Sequence, residues 1–184
     1  IGVCCSSDNG ATWVDNKNGI EFARAFSMAG EGSNVYIATD EGFFISRDDG
    51  DNWQKQNIDT EGVQITSVAV RGRTVIAGAV GRGVYVSTNR GNTWTLKGKE
   101  LGLIYTSSIM VNGLSIFLAT GSDGVFKSTD NCDTWQEKNK GMDDIGVQNY
   151  TANGNELWAL VRSGTPRSIL YYSSNRGDSW VAKY

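Results

Sequence analysis

The stretch SSDNGATW at residues 6–13 decides the fold, because the chain repeats its pattern four more times. The other copies are SRDDGDNW (46–53), STNRGNTW (87–94), STDNCDTW (128–135) and SSNRGDSW (173–180). Their closing tryptophans stand 40, 41, 41 and 45 residues apart. A period of about 40–45 residues is the length of one four-stranded propeller blade, so the spacing predicts an array of small β-sheets.

Four short strands, named A to D, can be aligned within each repeat. They are rich in β-branched and aromatic residues and are bounded by Gly, Asn and Asp, and no segment keeps a helical apolar period. The predicted ranges are 22–26, 65–70, 106–111 and 147–152 for strand A, 35–39, 74–79, 115–120 and 156–161 for strand B, and 2–7, 42–46, 83–87, 124–128 and 168–173 for strand C. The repeated pattern is then the turn between strands C and D, and strand D is predicted to begin at or just before its tryptophan.

The residue types of the pattern fit a locked hairpin rather than an active site. Glycine at the fifth place permits a positive φ in a tight turn. Asp or Asn at the third place can accept hydrogen bonds from backbone N–H groups of its own turn, and the tryptophan can pack between neighbouring sheets. The predicted scaffold residues are Asp8, Gly10, Trp13, Asp48, Gly50, Trp53, Asn89, Gly91, Trp94, Asp130, Cys132, Trp135, Asn175, Gly177 and Trp180.

These five turns resemble the Asp-box, or bacterial neuraminidase repeat, of a β-propeller superfamily. That superfamily includes sialidases, some endoglucanases, sortilin-type receptors and the photosystem II assembly factor. The resemblance implies an all-β propeller, or a propeller segment, of about four and a half to five four-stranded Asp-box blades over residues 1–184. The blade bounds are a half-blade at 1–20 and whole blades at 21–60, 61–101, 102–141 and 142–184.

Departures from the family pattern concern three positions. Asn89 and Asn175 replace aspartate, which predicts turns that are held less tightly. Cys132 replaces glycine, which predicts backbone strain if that residue adopts a left-handed conformation.

The strand count leaves the array incomplete, because the first twenty residues supply strands C and D alone. Two arrangements follow from this count: a part of a longer propeller, or a five-bladed ring that contains one half-blade, which we favour. In either case the unpaired blade edges predict exposed apolar surface and association into homo-oligomers.

Composition excludes several classes of function. The 17 basic and 20 acidic residues are well mixed, so no basic stripe favours nucleic acid as a partner. No apolar run approaches the roughly 20 residues of a membrane-spanning helix. The chain has no histidine and no Cys-x-x-Cys, so neither a zinc site nor an imidazole mechanism is expected. We expect no metal and no cofactor, and the resemblance implies an exported protein.

The B–C and D–A loops are the candidate ligand face, because the family binds ligands at that end of the blades. Our first hypothesis is a non-catalytic binding or assembly module for a protein, peptide or glycan, since variable loops on a regular scaffold are usual recognition sites. No residue is assigned a catalytic role. The candidate ligand-face residues are Asp40, Glu41, Arg82, Asp123, Asp143, Asp144, Arg162 and Arg167.

The alternative hypothesis is a sialidase-like glycoside hydrolase or a remnant of one. Family sialidases use three arginines for the substrate carboxylate, a Tyr–Glu nucleophile pair and an Asp acid/base. Arg82, Arg162 and Arg167 fall in predicted loops of the ligand face, where three guanidinium groups could bind an anion. The Phe/Tyr-Arg-Ile-Pro stretch of that family is missing from the sequence, which favours the first hypothesis.

Overall fold

The chain is built almost entirely of β-strands in the computed structural model, which describes residues 3–16, 18–21, 23–58, 64–102, 104–162 and 168–183. The strands are β1 (Cys4–Cys5), β2 (Val14–Asp15), β3 (Ala25–Glu31), β4 (Asn34–Thr39), β5 (Gly42–Ser46), β6 (Trp53–Gln56), β7 (Ile65–Arg71), β8 (Thr74–Ala79), β9 (Gly83–Ser87), β10 (Thr95–Lys97), β11 (Thr106–Asn112), β12 (Ser115–Thr120), β13 (Gly124–Ser128), β14 (Gln136–Glu137), β15 (Val147–Asn153), β16 (Glu156–Arg162), β17 (Ser168–Ser173) and β18 (Val181–Lys183). A 3₁₀ turn at Lys99–Leu101 is the one helical element of the described residues, so they contain no helix that could cross a bilayer.

The strands form five antiparallel sheets in chain order. The half-sheet consists of β1 and β2, and four-stranded sheets 1 to 4 consist of β3–β6, β7–β10, β11–β14 and β15–β18. Within each four-stranded sheet the strands lie side by side in sequence order, from A to D. The predicted fold class is therefore confirmed: the chain is an all-β propeller array of four blades and one half-blade.

Strands B and C lie within one residue of their predicted bounds in all four complete sheets. The prediction for strand D is wrong in four sheets, because strand D begins at the tryptophan only in sheet 1 and one residue after it elsewhere. Strand C of the half-sheet is shorter than predicted and covers Cys4–Cys5. Strand A of sheet 1 begins at Ala25, and Phe22, where it was predicted to begin, lies outside the described residues.

Consecutive sheets stack face to face and share their apolar cores. Val3 of the half-sheet packs with Ile37 and Phe44 of sheet 1. Three further clusters join sheet 1 to sheet 2, sheet 2 to sheet 3, and sheet 3 to sheet 4. No cluster of the described residues joins sheet 4 back to the half-sheet or to sheet 1. The stack is therefore open, and the expectation of a closed ring is not supported.

Apolar side chains are exposed on sheet 4, at one end of the stack, and on sheet 1, which the half-sheet covers only in part. Phe26 and Met28 of sheet 1 are 39% and 52% exposed, and Leu160 and Leu170 of sheet 4 are 39% and 40% exposed. Trp158, expected from its alignment to be a core residue, is only half-buried, because it lies on the outer face of sheet 4 against Tyr172. A strand of a middle sheet is therefore buried on both faces, whereas the equivalent strand of the last sheet is exposed on one face.

The tryptophans of the repeated turns are likewise buried where a neighbouring sheet covers them and exposed where none does. Trp53 and Trp180 are 5% and 3% exposed, and the half-buried Trp94 meets the Phe43 ring edge-on at 5.2 Å. Trp13 is 65% exposed, so the expectation that it packs between two sheets is wrong. The reason is that no sheet of the described residues lies against the outer side of the half-sheet.

The Trp94 and Trp13 indoles both donate to the glycine carbonyl of their own turn. Truncating either one therefore removes the same hydrogen bond, and the two variants differ in the packing that is lost. We expect Trp94→Ala to lower the free energy of unfolding by about 3 kcal/mol, since it removes a packed aromatic ring. Trp13→Ala should cost less than about 1 kcal/mol, because its ring is mostly solvated. Urea denaturation monitored by circular dichroism measures both, and equal costs would contradict the packing role of Trp94.

Candidate functional site

The repeated turns and the candidate ligand face lie at opposite ends of the sheets. In sheets 1, 2 and 4 the C–D turn is bonded to the A–B turn of its own sheet, as in the bond from the Asp49 N–H to the Ser33 carbonyl oxygen (3.0 Å). Equivalent bonds join Arg90 to Arg73 and Arg176 to Asn155. We call this end of the sheets the turn end, and the opposite end, which carries the B–C and D–A loops, the loop end.

A serine, together with an aspartate or an asparagine, organises each turn from within. The Gly50 N–H donates to Ser46 Oγ at 2.8 Å, and the Ser46 hydroxyl donates to Asp48 Oδ1 at 2.7 Å. The same carboxylate oxygen accepts the Asn52 N–H at 2.9 Å. Corresponding bonds occur in all five copies. The serine and the Asp or Asn of the pattern are therefore engaged within their own turn.

Asparagine holds its turns with the same geometry as aspartate. Asn89 Oδ1 accepts the Thr93 N–H at 2.9 Å, the distance at which Asp130 Oδ1 accepts the Thr134 N–H. The expectation of looser asparagine turns therefore finds no support in these distances. The two residue types differ in charge, because a carboxylate forms a charge-assisted bond and an amide does not.

Left-handed residues come in pairs in these turns. The predicted glycines have positive φ, but the preceding residues do too, including Asp49 (59°) and Arg90 (59°). Two consecutive positive φ values are typical of a type I′ hairpin turn. A positive φ at the first residue of the pair is predictable where that residue is Asn or Asp, which tolerate this conformation, and not where it is arginine.

Cys132 occupies a left-handed position that glycine fills in the other copies. Its φ is 70°, and its side chain is fully buried in the core shared by sheets 2 and 3. Burial raises the pKa of the thiol to about 12. The residue adopts the left-handed conformation for which strain was expected, and its burial keeps the thiol protonated.

Hydrogen bonds from the Thr134 hydroxyl and N–H, followed by the Ser128 hydroxyl, lower the pKa of Asp130 to about 2. The folded-state value thus lies below the unfolded value of about 3.9. This carboxylate stabilises the fold above about pH 4, and its contribution is lost as the pH falls towards 2.

We expect Asp130→Asn to flatten the dependence of unfolding free energy on pH between 4 and 2, relative to wild type. The matched variant Asn89→Asp should steepen it, because it places a carboxylate among equivalent donors. Urea titrations at each half pH unit give both curves. Three parallel curves would show that the turn carboxylates do not stabilise the fold.

A cavity of about 440 Å³ opens at the loop end between sheets 1 and 2. Its floor includes the buried side chains of Phe43, Ile58 and Ile65. Asp40 and Glu41, two of the predicted ligand-face residues, stand exposed at its rim. The remaining lining residues are Thr39, Gly42, Lys55, Gln56, Asn57 and Gln64.

The strand ends fix the geometry of this rim. Asp40 Oδ1 accepts the Arg24 N–H at 2.7 Å, and the Asp40 N–H donates to the Arg24 carbonyl, so this carboxylate is anchored. The Glu41 N–H donates to Thr39 Oγ1 at 3.1 Å, while the Glu41 carboxylate makes no hydrogen bond within the described ranges. The rim thus offers one anchored and one available negative charge beside an apolar floor.

The other predicted residues are spread over separate sheets of the loop end. Asp123, in the B–C loop of sheet 3, accepts the Ser122 hydroxyl at 2.6 Å. Asp143 and Asp144 lie in the D–A loop before sheet 4, where the Asp143 N–H donates to the Tyr171 hydroxyl. Among the described cavities, only the one above contains any of the eight residues. No cluster of three potential metal-ligating side chains occurs in the described parts of the chain.

The arginine trio is not brought together by the described structure. Arg82 is half-buried in the B–C loop of sheet 2, and Arg162 ends β16 on sheet 4. Alternate residues of a strand share a face, so Arg162 lies with Leu160 on the outer face of that sheet. Arg167 lies outside the described residues. The two described arginines are therefore separated by sheet 3.

The position of the cavity was not predicted from sequence. The signals available were the adjacent acidic pair Asp40–Glu41 and the apolar Ile58 at the start of a long polar loop. The sequence does not indicate which of the interfaces between consecutive sheets holds a cavity.

Solved structures share this fold at low sequence identity. An ancestral GH74 enzyme aligns with a TM-score of 0.75 and 23% identity over 99% of this chain and 28% of its own. YCF48 bound to D1 peptide aligns with a TM-score of 0.71 and 15% identity over 98% of this chain and 60% of its own. An extracellular domain of a putative one-component system from B. thetaiotaomicron aligns with a TM-score of 0.68 and 14% identity over 91% of this chain and 23% of its own.

These likenesses support the β-propeller fold and do not by themselves assign a function. No protein-family model matches the sequence, and no curated protein does. The chain spans less than two thirds of the length of the similar structures. They include an enzyme and a peptide-bound protein, so the fold alone does not decide between the two hypotheses.

Proposed function

We propose that the protein is a non-catalytic binding module whose loop end captures a protein or peptide partner. The observation that carries this proposal is the cavity between sheets 1 and 2, with its apolar floor and acidic rim. Pockets that combine apolar walls with a few placed polar groups are typical of binding sites. Among the similar structures, YCF48 is a protein bound to a peptide.

The chemistry of the rim favours a basic side chain in the partner. The methylene stem of a lysine or arginine would pack on Phe43 and Ile58, and its charged head would meet the Glu41 carboxylate. Long cationic side chains commonly combine these two contacts, since the stem is apolar and the head is hydrated. Lys55 also lies on the lining, so the two carboxylates and this ammonium leave a net charge of −1, which one basic side chain of the partner would neutralise.

The same geometry favours binding over hydrolysis. Asp40 and Glu41 share one loop, but the Asp40 carboxylate already accepts a backbone N–H, and Asp123, Asp143 and Asp144 lie on loops of other sheets. A glycosidase needs two carboxyl groups facing one bond at a defined separation. We therefore place the sialidase-like alternative second and propose an exported binding protein.

Selection from a random twelve-residue peptide library tests this proposal. We expect wild-type protein to enrich peptides that contain Lys or Arg, and Glu41→Gln to bind the enriched peptides at least tenfold more weakly. Asp49→Asn is the matched control: it also removes one exposed carboxylate, but at the turn end, and asparagine tolerates the positive φ of that residue.

Two results would contradict the proposal. One is equal binding of the enriched peptides by wild type and both variants. The other is turnover of a fluorogenic sialoside or another glycoside that Arg82→Ala or Arg162→Ala abolishes, since that result would support the hydrolase.

A further inference from the structure

A second cavity, of about 300 Å³, opens at the turn end between sheets 3 and 4. The buried ring of Phe117 forms part of its floor, and Leu114, which also lines it, is 80% exposed. Asn112, Asn155 and Arg176 contribute polar groups to the lining. None of its lining residues belongs to the cavity of the loop end, so the two cavities are separate.

An arginine side chain crosses the turn end of the two preceding interfaces. Between sheets 1 and 2, Arg47 Nη2 donates to Asn92 Oδ1 at 2.7 Å. Between sheets 2 and 3, the Arg71 guanidinium donates to Asn131 Oδ1 at 2.8 Å and to the Gly113 carbonyl at 2.9 Å. In both interfaces a guanidinium of one sheet therefore occupies the space beside the C–D turn of the next sheet.

The interface between sheets 3 and 4 has shorter side chains at both of these places. Asn112 stands at the place of Arg71, at the end of strand A. Thr129 stands at the place of Arg47, six residues before the tryptophan of the turn. Asn112 reaches only the Gly154 carbonyl, to which its Nδ2 donates at 2.6 Å. The space that a guanidinium fills in the other two interfaces is left open here, which accounts for the cavity.

The polarity of the site is also reversed. The place of Asn131, the acceptor for the bridging arginine of the preceding interface, is taken by Arg176. Arg176 Nε donates to Asn155 Oδ1 at 2.6 Å, and neither of its Nη groups has a hydrogen bond within the described residues. Two such Nη groups can bind both oxygens of one carboxylate.

Lys127 adds a second positive charge beside the cavity. Its Nζ lies 5.5 Å from the centroid of the Phe117 ring and 3.4 Å from the Arg176 carbonyl oxygen. No carboxylate is among the described lining residues. Asp178, in the same turn as Arg176, is already paired with Lys138 at 2.8 Å. The cavity therefore combines a positive charge with an apolar floor.

We propose that this cavity binds a small organic acid in which a carboxylate is joined to an aromatic ring. The carboxylate accepts from the Nη groups of Arg176 and is attracted by Lys127, while the ring lies against Phe117 and Leu114. The volume is at the lower end of the range for small-molecule sites, which suits a single ring on a short chain. The acidic rim of the loop-end cavity selects the opposite charge, so the two sites bind different ligands.

Titration of the ¹⁵N-labelled 184-residue protein with 3-phenylpropionate, followed by two-dimensional NMR, tests the proposal. We expect saturable shifts at the amides of Leu114, Gly154 and Asn155, with a dissociation constant in the millimolar range that is usual for so small a ligand. Two related compounds separate the charge from the ring. The neutral 3-phenylpropanamide and the ringless acetate should each bind about tenfold more weakly, because one lacks the carboxylate and the other lacks the apolar contact.

A matched pair of variants tests the role of the guanidinium. Arg176→Asn removes it and installs the residue type found at the same place in sheet 3, which tolerates the positive φ of this position. We expect it to weaken the binding of 3-phenylpropionate about tenfold. Arg90→Asn is the control, because Arg90 has the same place and the same left-handed conformation in sheet 2, where Arg47 fills the neighbouring space. It should leave binding unchanged.

A double variant tests the cavity itself. Asn112→Arg together with Arg176→Asn recreates in this interface the hydrogen-bonded pair that Arg71 and Asn131 form in the preceding one. The new guanidinium should fill the cavity, so 3-phenylpropionate should no longer shift the amides of Leu114 and Gly154.

Three results would overturn the proposal. The first is an absence of saturable shifts at these amides in the wild type, and the second is equal binding of the acid and its amide. The third is equal weakening of binding by Arg176→Asn and Arg90→Asn. The first two results concern the wild-type protein alone and do not depend on the folding of a variant.

Discussion

Each sheet of this protein has two apolar faces, and the need to cover both of them is the constraint on which the rest of the structure depends. A single repeat cannot bury its apolar faces alone, so much of its stability comes from the neighbours that it packs against. In sheet 2 both faces are covered, and Val75, Ile76 and Ala77 of β8 are fully buried. In sheet 4 only one face is covered, and alternate residues of β16 are half-buried or exposed. Burial thus follows position in the stack more closely than residue type.

The repeated turn serves this constraint from the turn end. Its serine, aspartate or asparagine, and glycine satisfy one another within eight residues and fix the angle at which strand D leaves strand C. Because these groups are engaged internally, the turn end contributes rigidity. The loop end takes no part in these turns. Its loops differ from sheet to sheet, and one of them provides the acidic rim around Glu41. In our proposed function, structure and recognition of the partner are in this way divided between the two ends of the same sheets.

The predictable part of the fold is the part that depends on local sequence. Strands B and C could be located because their β-branched runs end at Gly, Asn or Asp, and the turns could be located because Ser, Asp and Gly act within one hairpin. Trp13 and Trp158 were misjudged because their environment depends on sheets distant in sequence. Arg90 was missed for a different reason, since arginine carries no preference for positive φ. Of the eight candidate site residues, the structure gathers Asp40 and Glu41 into one cavity, a grouping that depends on the stacking of two sheets.

Amide hydrogen exchange on the isolated chain tests the open stack most directly, because exchange from hydrogen-bonded strands reports the stability of each sheet. The equivalent strands β8 and β16 are both central in their sheets, so they differ mainly in whether both faces are covered. The account predicts that the amides of β8 exchange slowest and that those of β16 exchange at least tenfold faster. Equal protection of β8 and β16 in a monomeric sample would contradict it, because the outer face of sheet 4 would then be covered within the chain.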